Sequence, residues 1–259
     1  MLFRSLSKYF SGRDKELGLI DAAFKDENEE DGSPITVAIH GMHGMGKTQV
    51  ALAYIRLSRR KKNDVIWVDG DNFESARASF IGTLGLVSSE PDSISKTCRW
   101  LEERAESGGK GWLLVLDNFT SHAASFFEHL PTEAPAGRIL ITTNEEDLAN
   151  LKTTATRGRQ RCIPLEKMEE SDSLHLFLKS CALPSAIETK EETKELASRI
   201  LQLLGNLPIA IAQAASYQKR DGRHLEGLLE VLSNKDGKMK VRCRLAGSIL
   251  HDPRKLTTF

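Results

Sequence analysis

ITVAIHGMHGMGKT, residues Ile35 to Thr48, runs a short β-rich apolar stretch into a glycine loop closed by lysine and threonine. Asp31, Gly32, Ser33 and Pro34 precede it, the punctuation expected before a strand. From Lys47 the apolar spacing turns helical, with Val50, Tyr54 and Leu57 along one face and Ala51 and Ile55 beside it. The basic run Arg59 to Lys62 follows, where cations suit a helix C-terminus. Strand, glycine loop and helix therefore succeed one another without a gap.

Gly41 to Thr48 fits G-x-x-x-x-G-K-[ST] at every fixed position. Glycines let the backbone take positive φ and aim successive N–H groups at phosphate oxygens. Lys47 is expected to reach the β and γ phosphates as a point charge, and Thr48 to set its hydroxyl on magnesium. The positive end of the following helix faces the anion. A chance match in a chain of this length is on the order of one in a hundred at average residue frequencies. Gly41, Gly44, Met45, Gly46, Lys47, Thr48 and Gln49 are the candidate phosphate-binding residues. Their spacing is not the G-x-G-x-x-G of dinucleotide folds, which disfavours NAD.

Working outward, Val65 to Val68, Trp112 to Leu116, Arg138 to Thr142 and Arg161 to Leu165 are further strand candidates. Helical spacing separates them at Phe73, Ala76, Phe80 and Leu84, and again from Ser93, a candidate cap for a helix carrying Ile94, Leu101 and Ala105. WLLVL has no polar alternation, as in a strand buried on both faces. Alternating strands and helices predict an α/β fold with a doubly wound, mostly parallel sheet, followed by a small helical domain. The helices of that domain are expected at Ser171 to Cys181, Glu191 to Leu204 and Pro208 to Gln218, with Pro208 tolerated in a first turn. The boundaries expected are 1–164 for a P-loop domain with its N-terminal lead-in, 165–234 for the helical domain and 235–259 for a poorly ordered basic tail.

A P-loop needs a magnesium-side carboxylate at the end of a neighbouring buried strand, and Asp117 after Leu113 to Leu116 supplies it. Lys47 and Asp117 are thus the candidate catalytic pair, and Thr48 and Asp117 the candidate Mg2+ ligands. Asn118 stands where many ATPases place a water-activating carboxylate, and an amide cannot act as a general base. Asn144, at the end of the stretch Ile139 to Thr143, offers the γ-phosphate only a neutral hydrogen bond. Tight binding with slow turnover is the expectation. The N-K-x-D signature of guanine recognition is not met, since Asn234-Lys-Asp-Gly237 carries its acid one position early; adenine, as ATP or ADP, is favoured. His40 and His43 flank the loop without an acid nearby in sequence and read as packing or loop residues.

The 259 residues carry 36 Lys and Arg against 36 Asp and Glu, so no whole-chain field draws the protein to nucleic acid or an anionic membrane. Cys98, Cys162, Cys181 and Cys243 are too widely spaced for a zinc knuckle or redox pair, as in a reduced, cytoplasmic protein. No apolar run approaches the roughly 20 residues of a membrane span. The start, with Arg4, Lys8 and Arg13 among serines, faintly resembles a transit peptide, but Phe10, Gly12 and Arg13 have another use.

With these motifs in hand, the chain resembles the NB-ARC division of the STAND ATPases, particularly the versions in fungal NLR-like proteins. Phe10-Ser-Gly-Arg-Asp-Lys-Glu-Leu17 is similar to the entry motif that lies over the adenine in that family, which implies nucleotide contacts for Phe10, Gly12 and Arg13. Gly41 to Thr48 resembles its Walker A motif and Leu113 to Asp117 its Walker B. Gly137 to Thr143 resembles its sensor strand, and Leu204-Gly-Asn-Leu-Pro-Ile-Ala210 its G-L-P-L helix start, where Pro208 would approach the nucleotide. Asn144 replaces the usual sensor arginine and Asn206 the glycine of G-L-P-L. The resemblance covers roughly 9–234 and implies ADP at rest, exchange for ATP, and oligomerisation with itself or with other NLR-like chains. The chain ends before a winged-helix domain or M-H-D histidine, so reduced discrimination between ADP and ATP is expected.

Three other readings stand beside this one. A phosphotransferase would need a lid, for which Lys152, Arg157 and Arg159 are the candidates. A nucleic-acid-dependent ATPase would use the tail cations Lys238, Lys240, Arg242 and Arg244, with nucleic acid otherwise an unlikely partner. An interaction scaffold would carry a vestigial site.

Overall fold

Among the described residues, five strands form one sheet in the order β2-β3-β4-β1-β5, with every pairing parallel. They are β1 (Ile35–His40), β2 (Asp64–Asp69), β3 (Trp112–Asp117), β4 (Gly137–Thr143) and β5 (Gln160–Pro164). The computed structural model describes residues 5–25, 32–58, 64–86, 92–106, 111–149, 160–183, 190–221 and 224–234. The chain divides into two units by internal contacts. The first holds Asp14–His43 and Lys47–Leu165; the second holds the N-terminal segment up to Arg13, Gly44–Gly46 and the chain from Glu166. The lead-in, expected with the nucleotide domain, thus groups with the helices, because Tyr9 packs against their core and Arg13 bonds within that unit. The basic tail, the lid candidates Lys152, Arg157 and Arg159, and the run Arg59 to Lys62 lie outside the described residues.

In the first unit, β3 lies between β2 and β4, and all six of its residues are buried. Its even-numbered residues Leu114 and Leu116, with Ile139 and Ile141 of β4, pack against α3 (Phe73–Ile81) and α4 (Ser93–Glu106) through Ala76, Phe80, Ile81 and Leu101. A 3-10 turn over Ser121–His129, not foreseen from spacing, adds Phe126 and Phe127 to the same core. By the two-residue period of a strand, Leu113, Val115 and Leu140 face the other way. On that side α1 (Asp14–Ala23) and α2 (Lys47–Ser58) cover β1, β4 and β5. Layers on both faces explain why these strands read as unbroken apolar runs. Each buried Leu or Ile adds about 1.5–3 kcal/mol of transfer free energy.

Ser93 is not the cap expected of it. It is the first residue of α4, and its hydroxyl has no hydrogen-bond partner among the described residues. The chain enters this helix through Asp92 at φ 58, whose carbonyl accepts the Lys96 N–H.

The second unit packs α6 (Glu170–Cys181), α7 (Glu191–Leu204), α8 (Pro208–Asp221) and α9 (Leu225–Ser233) around Phe177, Ala197, Ile200, Ile211, Ala214 and Leu228. The one-turn α5 (Glu146–Ala149) belongs to the first unit. Glu191 and Glu192 open α7 at its positive end, and Gly205 closes it at φ 65, a left-handed exit that glycine takes without a Cβ penalty. The fourth helix, α9, was not among the three expected, although Leu225, Leu228, Leu229 and Leu232 recur at helical spacing.

Gly137 is where β4 meets the Trp112 indole. A Cβ there would collide with the ring, which is fully buried and anchored by its N–H on the Leu101 carbonyl at 3.0 Å. Gly137→Ala is expected to destabilise the first unit by about 1–3 kcal/mol, seen as a lower urea midpoint at unchanged slope.

Candidate nucleotide site

β1 and β4 are neighbours whose outgoing crossovers run to opposite sides of the sheet. At the carboxyl ends of such a pair, open α/β sheets leave a crevice for ligands. The Gly41 to Thr48 loop leaves β1 at this end. Its turn requires φ of 149° at Gly41, 83° at Gly44 and 89° at Gly46. At Gly41 a Cβ would also come within 2.5 Å of the Leu165 carbonyl, whereas at Gly46 it would meet nothing within 4 Å. The Leu165 carbonyl thus leaves no room for a side chain at Gly41.

Lys47 is buried, and its ammonium donates to the Gly41 carbonyl at 2.6 Å, the Met42 carbonyl at 2.9 Å and Asn144 Oδ1 at 2.5 Å. An ammonium only donates, so the Asn144 amide must face it with its oxygen, leaving the Nδ2 hydrogens for another acceptor. All three Lys47 hydrogens are in use, and a phosphate must take at least one of them over. Burial lowers the Lys47 pKa to about 8, opposed by the nearby Asp117 carboxylate.

Thr48 Oγ1 donates to Asp117 Oδ1 at 2.8 Å, and Thr142 Oγ1 of β4 donates to the same oxygen at 2.7 Å. Thr142 in turn accepts the Asn118 N–H at 2.9 Å. The fully buried Asp117 is therefore held by hydroxyls from α2 and β4. This donor set, a hydroxyl and a carboxylate oxygen in contact beside an anion cradle, fits a hard divalent cation such as Mg2+. In sequence Thr142 is only part of an apolar strand; its position next to Asp117 follows from β3 and β4 being paired. Gln49, half-buried in the first turn of α2, follows the loop, and Asn118 takes φ 57 where β3 ends.

Within the second unit, Arg13 is buried at φ 68, unusual for a long side chain. Its guanidinium donates to the Met45 carbonyl at 3.2 Å and the Glu166 carbonyl at 2.8 Å. Gly12 lies against Asp172, and Phe10 is half-buried with its N–H on the Ser7 carbonyl. Pro208 begins α8, and the next residue, Ile209, donates its N–H to the Gly44 carbonyl at 3.2 Å. His40 ends β1 half-buried and His43 is exposed in the loop.

No family model matches the chain. It is 29% identical to a nucleotide-binding leucine-rich repeat (NLR)-like protein of Hyaloscypha variabilis over 86% of its own length and 23% of that protein's. It is 23% identical to a putative disease resistance protein of Arabidopsis thaliana over 78% of its own length and 14% of the other's. The chain thus spans under a quarter of these curated relatives. Among solved structures it superposes on PCH-2 of C. elegans with a TM-score of 0.56 and 13% identity, covering 96% of this chain and 73% of that one. For Drosophila ORC bound to DNA the TM-score is 0.55 at 14% identity, covering 91% and 62%. The fold is that of a P-loop NTPase. A relationship to NLR-like and disease resistance proteins accompanies it, while the solved structures speak for the fold alone. Among the described residues no helix is long and apolar enough to cross a membrane.

Because the Lys47 pKa is lowered to about 8, its ammonium is present below that pH and lost above it. Polyphosphate binding needs the charged form. ADP affinity is expected to fall by about an order of magnitude between pH 7.5 and 9, with proton uptake on binding near pH 8 visible by calorimetry in buffers of different ionisation enthalpy.

Proposed function

We propose that this chain is the adenine-nucleotide-binding module of an NLR-like signalling ATPase, a switch that holds ADP or ATP with Mg2+ and turns over slowly. The observation that carries the reading is the Lys47 and Thr48 pair at the head of α2, set against Asn144 and Asp117 at the ends of β4 and β3. Gly41, Gly44, Met45 and Gly46 would offer backbone N–H groups to the phosphates, and Lys47 would supply the positive charge. Thr48 and Asp117 would hold the metal, which would supply positive charge to offset that of the phosphates. Phe10, Gly12, Arg13, Gln49 and Pro208 are the remaining proposed nucleotide contacts, by resemblance to the NB-ARC motifs.

Slow turnover follows from chemistry at Asn118 and Asn144. Neither amide can accept a proton from water or bring a positive charge to the transferring phosphoryl group. A switch also needs differential affinity for its nucleotide between two conformations, since a ligand shifts an equilibrium only by that difference. By resemblance to the NB-ARC motifs the switch would serve signalling and assemble with copies of itself or with similar chains, and the 29% identical relative is itself NLR-like. The related disease resistance protein points to the same class of role.

Mass spectrometry of the denatured protein should reveal a copurified adenine nucleotide. Lys47→Ala is expected to weaken ADP binding about 10- to 100-fold, the value of one lost charge-assisted hydrogen bond of about 1.5–3 kcal/mol. Asp117→Ala should remove the Mg2+ dependence of binding, bringing affinity to that of the wild-type chain in EDTA. A well-folded chain that binds no adenine nucleotide, or that ignores both substitutions, overturns the reading.

A further inference from the structure

Asn118 is tied down at both ends. Its backbone N–H reaches Thr142 Oγ1, the hydroxyl that also donates to the buried Asp117 carboxylate, and its side-chain Nδ2 donates to Asp71 Oδ1 at 3.3 Å. Asp71 follows β2, whose last residue Asp69 is paired in register with Asp117. Asp71 is itself clamped. Its N–H reaches Asp69 Oδ1 at 3.3 Å, its carbonyl accepts from the Thr120 hydroxyl at 2.6 Å, and its second carboxylate oxygen accepts from Asn72 Nδ2 at 3.2 Å. Asn72 cannot turn its amide over, because its Oδ1 caps α3 on the Ser75 N–H at 2.9 Å. The relay therefore runs from the start of α3 through Asn72 and Asp71 to Asn118.

A carboxylate only accepts, so Asp71 dictates which way the Asn118 amide lies: NH2 toward Asp71, carbonyl oxygen away from it. That oxygen accepts no hydrogen bond among the described residues, and it belongs to the residue immediately after Asp117. We propose that Asn118 orients the attacking water through this carbonyl oxygen during nucleoside triphosphate hydrolysis, and that Asp71 is the positioning residue that holds the amide in the required orientation. The inference rests on the nucleotide reading given above. In the step, the water oxygen bonds to the γ-phosphorus as the bond to the β–γ bridging oxygen breaks. The diphosphate leaves with the bond's electron pair, and the water proton passes to a phosphate oxygen and solvent. Asn118 fixes the water's orientation and takes no proton, which keeps the step slow.

The test is single-turnover hydrolysis of Mg-ATP by the whole chain, with ADP affinity and urea midpoint measured on the same preparations. Asp71→Ala and Asn118→Ala are expected to lower the rate at least about tenfold with ADP affinity within about twofold. D71N should retain most of the rate, since its amide oxygen still accepts from Asn118 Nδ2. The exchanged pair D71N with N118D should exceed the wild-type rate, because a carboxylate now faces the water and an amide holds it. Retained affinity with an unchanged rate in Asp71→Ala, an Asp71→Ala loss that D71N shares, or a wild-type chain that binds ATP and hydrolyses none overturns the inference alone. A wild-type chain with no affinity for ADP or ATP overturns the nucleotide reading and this inference with it.

Discussion

A buried carboxylate must be satisfied where it stands, and Asp117 at the end of β3 is the group around which the first unit is arranged. It accepts hydroxyl hydrogens from Thr48 on α2 and from Thr142 on β4. Those two bonds tie the head of the helix after the glycine loop to the central strands of the sheet. The unbroken apolar cores of β3 and β4 hold the strand ends rigidly enough for such bonds to keep their geometry. A site built on strand ends is held more precisely than one assembled from loops alone.

Lys47 presents the complementary problem. Its ammonium is buried beside the same carboxylate and spends its three hydrogens on two loop carbonyls and Asn144. Burial disfavours the charge while Asp117 favours it, and the balance leaves an ammonium whose charge a polyphosphate would reinforce. The same residues that keep the loop in shape are thus those that an anion would recruit.

The helical unit obeys ordinary rules: acids at the start of α7, a left-handed glycine at its end, and proline in the first turn of α8. Arg13 is the exception. A buried arginine at positive φ is costly, and hydrogen bonds to the Met45 and Glu166 carbonyls hold it there. Its motif suggests a ligand contact, and two of its hydrogen bonds go to main-chain carbonyls of its own unit.

The glycine loop, the buried strands and the carboxylate after WLLVL were legible in the sequence because each is a contiguous string whose chemistry is local. Strand ends shifted by only a residue or so, since apolar runs mark the buried part and pairing extends a little past it. The helix over Leu225–Ser233 is legible too, from its leucine spacing. Ser93 misled because capping depends on the conformation of the residue before the helix, which composition does not reveal. Strand order could not be read from spacing, and strand order alone brings Thr142 and Asp71 to either side of the β3 terminus. Residue types by themselves determined that a glycine loop closed by lysine and threonine, and a carboxylate at the end of a buried strand, exist in this chain. Tertiary structure decided which hydroxyls and amides meet them, because contacts between distant segments depend on sheet register rather than on any neighbouring residue.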